Sequence, residues 1–138
     1  MPCIFCQVVS KSIDSPIVYE DEHTLAFLDH RPLFPGHCLL IPKAHYETLS
    51  DLPPALIEPL FSAAQRLTRA VETAMRADGS FVAINNRVSQ SVPHLHVHIV
   101  PRRKKDGLRG FFWPRNRYES QDAAIAAQQA IVNALQRA

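Results

Sequence analysis

The chain has 138 residues, 46% hydrophobic and 20% charged, with a formal net charge of +2. That length suits one domain around one core, and the composition is that of an ordinary globular protein. No apolar run approaches the roughly 20 residues that cross a bilayer, and the start Met-Pro-Cys-Ile-Phe-Cys has no secretory apolar region, so the expectation is a cytoplasmic protein without membrane attachment.

The three cysteines are an odd number, and Cys3 and Cys6 stand at C-x-x-C spacing, which reads as metal ligands or a redox pair in a reducing compartment. Residues 3–9 (CIFCQVV) are expected to make one or two helical turns carrying both cysteines. Residues 17–21 and 23–29 read as two strands, a hairpin or meander, followed by a Pro/Gly loop over 31–36. The apolar run from His37 to Ile41 is a buried strand closed by Pro42, and Cys38 within it reads as core.

A long helix follows. Ser50 or Asp51 can cap it, Pro53 and Pro54 fit its first turn, and Leu56, Leu60, Ala63, Leu67, Ala70, Val71 and Ala74 recur at helical spacing. Gly79 is placed to end it, and Pro59 implies a later start or a bend. Residues 81–84 and 94–100 are two more strands across a polar loop, and 120–137 form an Ala-rich helix capped by Ser120 or Asp122. The order β-β-β-α-β-β-α predicts an α+β domain built on an antiparallel sheet.

Side chains alternate along a strand, so His94, His96 and His98 share one face, about 6–7 Å apart, while Leu95, Val97 and Ile99 face the core. Neutral imidazole is a nucleophile, a base and a metal ligand near neutral pH. The row could be a three-histidine catalytic zinc centre. Alternatively, Cys3 and Cys6 supply half of a tetrahedral zinc site, completed by His45 and one end of the row, which leaves two histidines for chemistry. Arg102, Arg103, Lys104, Lys105, Arg109, Arg115 and Arg117 crowd the stretch after the histidines. They read as a solvated loop or as an electropositive rim for a polyphosphate, without implying a specific nucleic-acid partner.

His94-Leu-His-Val-His-Ile-Val resembles the signature of the histidine-triad (HIT) superfamily. Cys3-Ile-Phe-Cys, Val18-Tyr-Glu-Asp, Leu25-Ala-Phe-Leu-Asp, Pro35-Gly-His, Leu40-Ile-Pro-Lys-Ala-His, Asn85-Asn, Gln90-Ser-Val and Pro101-Arg are similar to its landmarks, in order, over residues 3–103. The resemblance implies a single domain over 1–138 whose core spans about 3–103, with a variable tail and helix over 104–138. It implies about five antiparallel strands and two main helices, paired as a homodimer through a continuous sheet. It further implies hydrolysis at the α-phosphate of nucleoside 5′-phosphate derivatives (dinucleoside polyphosphates or phosphoramidates), with His96 as nucleophile in a nucleotidyl-histidine intermediate. His98 would contact the phosphate and the leaving group. Structural zinc would be held by Cys3, Cys6, His45 and His94. Asp29 matches the ribose-binding carboxylate, and Ile4, Phe5, Val8, Phe27 and His30 match the base-pocket lining. Asn85, Gln90 and Ser91 match groups near the phosphates. His98 argues against the transferase branch, where glutamine replaces it; a non-catalytic nucleotide sensor is the other alternative. The 85–94 loop is about two residues shorter than is usual in the family, with Arg87 and Ser89 where glycines are common, and Trp113 falls in the variable tail.

Overall fold

A computed structural model describes residues 2–108 and 115–137. They fall into two compact units, one up to Asp106 and one from Gly107 onward. Arg109 and the Gly110-Phe-Phe-Trp-Pro run, including Trp113, lie outside the described residues.

The first unit holds α1 (Ile4–Val9), β1 (Ile17–Glu20), β2 (Thr24–Leu28), β3 (Cys38–Pro42), α2 (Pro54–Ala74), β4 (Gly79–Ile84) and β5 (Val97–Arg102). The strands form one antiparallel sheet in the order β1-β2-β3-β5-β4. Strands β1 to β3 are neighbours in sequence. The long excursion through α2 then lets β4 and β5 return as a hairpin with β5 against β3. The second unit holds α3 (Gln121–Arg137), whose Ala123 N–H donates to the Ser120 hydroxyl at 3.0 Å, so Ser120 is the cap. Among the described residues no helix is long and apolar enough to cross a membrane.

Strand β3 is buried along its length because both faces of the sheet are covered. On one face α2 packs Leu60, Ala63, Ala64, Leu67 and Val71 against Ala26, Cys38, Leu40, Leu95, Val97 and Ile99. On the other, the short α1 packs Phe5 and Val8 against Leu25, Phe27, Leu39 and Ile41. That second, smaller cluster is what the triad rests on. It explains why β3 reads as continuously apolar and not as alternating.

Three local expectations are corrected, and of the two alternatives at Pro59 the later helix start is excluded. The histidines only partly lie on a strand: β5 begins at Val97, and His94 and His96 sit in the extended approach to it. Asp51 belongs to a single 3-10 turn (Leu49–Asp51), where its carboxylate accepts from the Thr48 N–H and hydroxyl, while α2 starts at Pro54 after Pro53. Helix α2 runs through Pro59, at the cost of the donor the Ala55 carbonyl would otherwise meet. It also ends without a glycine: Arg76 takes a left-handed φ of 52°, and the N–H groups of Arg76 and Ala77 bond to Thr73 O and Glu72 O. This is a Schellman ending, after which Gly79 opens β4. The Arg103 guanidinium adds a bond to Met75 O at the same helix end.

Within the first unit the basic stretch starts at the end of β5. Arg102 closes β5 four residues beyond His98, roughly 13 Å along an extended chain, and pairs with Asp106 at 2.6 Å. Arg103 and Lys104 tie this sheet end to the α2 terminus, through Met75 O and the Asp78 carboxylate.

Candidate functional site

At the mouth of the histidine face is a cavity of about 300 Å³. Ile4, Phe5 and Val8 of α1, Phe27, Asp29 and His30 at the end of β2, and Ser91, His96 and His98 all line it, so nine of the expected site residues come together. Ile13, Asp14, Ser15, Pro16, Leu28, Leu39 and Val92 complete the wall and were not singled out from sequence. Asn85 and Gln90 do not line it. The Gln90 amide bridges its own loop to the segment after β3, accepting from the Arg87 N–H at 2.7 Å and donating to Glu47 O at 2.6 Å. Arg87 and Ser89 have φ of 69° and 61°, the left-handed geometry that favours glycine at those places.

Four imidazoles are ordered by groups whose hydrogen-bonding direction is fixed. The His94 ring places Nε2 2.8 Å from Pro42 O; a carbonyl can only accept, so Nε2 carries the proton and the Nδ1 lone pair is free. His96 Nδ1 is 2.7 Å from the His94 carbonyl, so Nδ1 carries the proton and the Nε2 lone pair is free. The Leu33 N–H donates to His37 Nδ1 at 3.0 Å, so the neutral His37 carries its proton on Nε2. That Nε2 is 3.0 Å from His98 Nδ1, which must accept, leaving the His98 proton on Nε2. Two backbone carbonyls and one backbone N–H thus set the tautomer of the whole row.

In the sequence His37 is the first residue of an apolar strand and the end of the Pro35-Gly-His landmark, with no role attached to its ring. It is 3% exposed, with Nε2 3.7 Å from Asp29 Oδ2. The other Asp29 oxygen accepts from the Arg31 N–H at 2.9 Å, so this carboxylate caps the turn and faces the histidines at once. A buried polar residue directly after Pro35-Gly36 was the available signal. Gly36 has φ +96°, and a Cβ there would come within 2.5 Å of Met75 Cγ, so only glycine lets the chain turn sharply into His37.

Burial keeps these rings neutral. It lowers His96, against the opposing pull of the His94 carbonyl and Asp29, and it lowers His37 likewise. Burial, then the neighbouring His96 and His37, push His98 down to about 4. A neutral lone pair on His96 and a neutral N–H donor on His98 lie side by side, ring centroids 5.0 Å apart.

The first histidine of the row faces a different group. His94 Nδ1 lies 3.4 Å from Cys3 Sγ, 3.6 Å from Cys6 Sγ and 3.2 Å from His45 Nδ1, and Cys6 Sγ lies 3.4 Å from His45 Nδ1. Zinc bonds of about 2.3 Å to sulfur and 2.0–2.1 Å to nitrogen separate tetrahedral donors by roughly 3.3–3.8 Å. These four separations lie close to that spacing and all four donors are within 4.8 Å of one another, and the bond from His94 to Pro42 O is the outer partner a metal-binding histidine takes. Asp29, His37 and His98 also cluster closely enough to ligate. There the tautomer is wrong: with Nδ1 accepting from Leu33, His37 Nε2 holds a proton and has no lone pair to offer. Of the two clusters, only the cysteine-containing one is set up to hold a metal.

A family model described as HIT domain matches residues 10–105. Protein hit of Bacillus subtilis is 40% identical over 113 residues, covering 80% of this chain and 78% of its own. The adenylylsulfatase HINT3 of Arabidopsis thaliana is 35% identical, covering 77% of this chain and 55% of its own. An asymmetrical bis(5′-nucleosyl)-tetraphosphatase of Schizosaccharomyces pombe is 35% identical, covering 68% and 53%. This chain spans only about half of each of those two enzymes. Among solved structures, a HIT family member from Bacillus subtilis superposes with a TM-score of 0.88 at 33% identity, covering 96% of both chains. A zinc-bound histidine triad family protein from Mycobacterium smegmatis superposes with a TM-score of 0.74 at 35% identity, covering 100% and 99%. With the triad, its cavity and the matched length in agreement, the chain belongs to the histidine-triad (HIT) family.

Proposed function

We propose that the protein is a nucleotide phosphohydrolase that cleaves nucleoside 5′-phosphate derivatives at the α-phosphorus through a nucleotidyl-His96 intermediate. The observation that carries this reading is the fixed tautomer of His96, whose Nδ1–H is held by the His94 carbonyl so that Nε2 offers its lone pair beside the cavity. In the first step that lone pair forms the N–P bond while the bond from phosphorus to the leaving group breaks, the leaving group taking the electron pair. The positive charge left on the imidazole sits against the same carbonyl. In the second step a water oxygen bonds to phosphorus, the N–P electrons return to Nε2, and one proton goes to solvent.

His98 directs Nε2–H at the reacting phosphate or the departing atom, and His37 keeps it in that tautomer. A preset donor aimed at developing charge typically contributes 10²–10³-fold to rate. Asp29 accepts the ribose hydroxyls, and the base lies between Phe5, Val8, Ile13, Phe27 and Leu39. Ser91 faces the phosphates. The names of two relatives, an adenylylsulfatase and a bis(5′-nucleosyl)-tetraphosphatase, support leaving groups joined to a nucleoside α-phosphate. Turnover of an adenosine phosphoramidate, a diadenosine polyphosphate and adenylyl sulfate, each with the native protein and with His96→Ala, tests the assignment. Loss in the variant is expected for whichever substrates are cleaved.

Cys3, Cys6, His45 and His94 hold zinc in this reading, which the zinc-bound relative supports. When bound, zinc cross-links the chain through four ligands and takes no part in the reaction. Cysteines that must stay reduced to serve such a centre suit a reducing compartment such as the cytoplasm. Strand β4 is an edge of the sheet, and Val82 on it is 44% exposed, which supports a homodimer formed by β4 pairing with its copy. Sedimentation of the native protein and of Val82→Lys tests that arrangement: a dimer is expected for the first and a monomer for the second.

A further inference from the structure

We propose that the Cys3, Cys6, His45 and His94 centre positions the nucleotide site, fixing both the wall that receives the base and the carbonyl that orients His96. The inference rests on the functional reading above for the identity of the ligand.

Helix α1 has six residues, well short of the roughly 12–15 at which a helix holds itself. Cys3 stands at its N-cap without a side-chain capping bond, and Cys6 lies one turn on. Between them Phe5 projects into the site, its ring perpendicular to His96 with centroids 5.1 Å apart and 5.2 Å from Phe27. Ile4 and Phe5 of the cavity wall therefore lie between two metal ligands, and Val8 follows two residues after the second. Beyond those ligands the anchors of this wall are the packing of Phe5 and Val8 and an exposed Lys11–Glu20 pair of 2.7 Å. Such a pair contributes little.

The opposite wall depends on the same centre. The His94 ring is held through Nε2 by Pro42 O and through Nδ1 by the centre, and its own carbonyl accepts the His96 proton. Without a metal, two thiols and two imidazole lone pairs are left at 3.2–3.6 Å with only weak bonds among them. Local opening of α1 follows, while the α2 face, built from other residues, stays packed. If α1 is formed about one-tenth of the time, apparent affinity drops about tenfold.

The test compares zinc-loaded protein, chelator-stripped protein and a Cys3→Ser/Cys6→Ser double variant, using AMP as the probe. Amide exchange is followed over 4–9 and over 60–71. Stripping is expected to raise the AMP Kd about tenfold and to speed exchange over 4–9 alone. Added zinc is expected to restore the stripped protein but not the double variant. Unchanged exchange over 4–9, or loss of protection over 60–71 to the same extent, would overturn the proposal, the second because the centre would then support the whole fold. If zinc-loaded protein fails to bind AMP, the nucleotide reading is wrong, and the exchange pattern still decides the role of the centre.

Discussion

His37 Nε2 stands 3.0 Å from His98 Nδ1, and because Leu33 N–H occupies the other nitrogen of His37, the proton between the two rings belongs to His37. A residue with no contact to the cavity thereby determines what His98 presents to it.

Replacing His37 should therefore impair turnover through His98. His37→Ala lets His98 adopt either tautomer, and kcat/KM is expected to fall roughly 10²–10³-fold, as for loss of one preset donor. Comparing leaving groups of different basicity checks the cause. The loss should be larger for poor leaving groups than for good ones, whereas damage by misfolding would affect all equally.

Acid should destabilise the fold through the same ring. The His98 pKa is about 4 in the folded chain against 6.5 for the free side chain, so between those values the unfolded chain binds more protons. Its contribution is fully present above 6.5 and is lost as pH falls toward 4, about 3 kcal/mol from this ring. Urea denaturation at pH 7 and pH 4.5 measures it, and His98→Gln is expected to flatten the dependence.

Gly36 fixes the entry to β3. Gly36→Ala places a Cβ against Met75 and forces φ +96° on a residue that disfavours it, so a loss of about 1–3 kcal/mol is expected in thermal denaturation. Catalytic loss beyond the unfolded fraction would show displacement of His37 next to it.

Arg76 makes the opposite test. It occupies the left-handed position of a Schellman ending, so Arg76→Gly is expected to stabilise the protein by about 0.5–1 kcal/mol in chemical denaturation, with activity unchanged.

The parts legible in the sequence are those written by short-range rules. Period-two alternation placed Leu95, Val97 and Ile99 in the core and the histidines on the other face, and C-x-x-C spacing joined Cys3 and Cys6. What escaped depends on distant contacts. His37 looked like one residue of an apolar run because its partners, Leu33 and His98, meet it only through the turn at Gly36 and the pairing of β3 with β5. The bond that the Gln90 amide donates to Glu47 O, beside the one it accepts from Arg87 N–H, likewise joins residues 43 apart in sequence. Gly79 looked like a helix end because a glycine is the usual left-handed residue, and Arg76 took that position instead.

The covalent intermediate is the centre of the account, and trapping it is the most direct measurement. Native protein quenched during turnover of a substrate labelled on the α-phosphate should carry one nucleoside monophosphate, acid-labile and located by peptide mapping on His96. His96→Ala should carry none and should not turn over. Label on another residue, or undiminished hydrolysis by His96→Ala, would contradict the assignment.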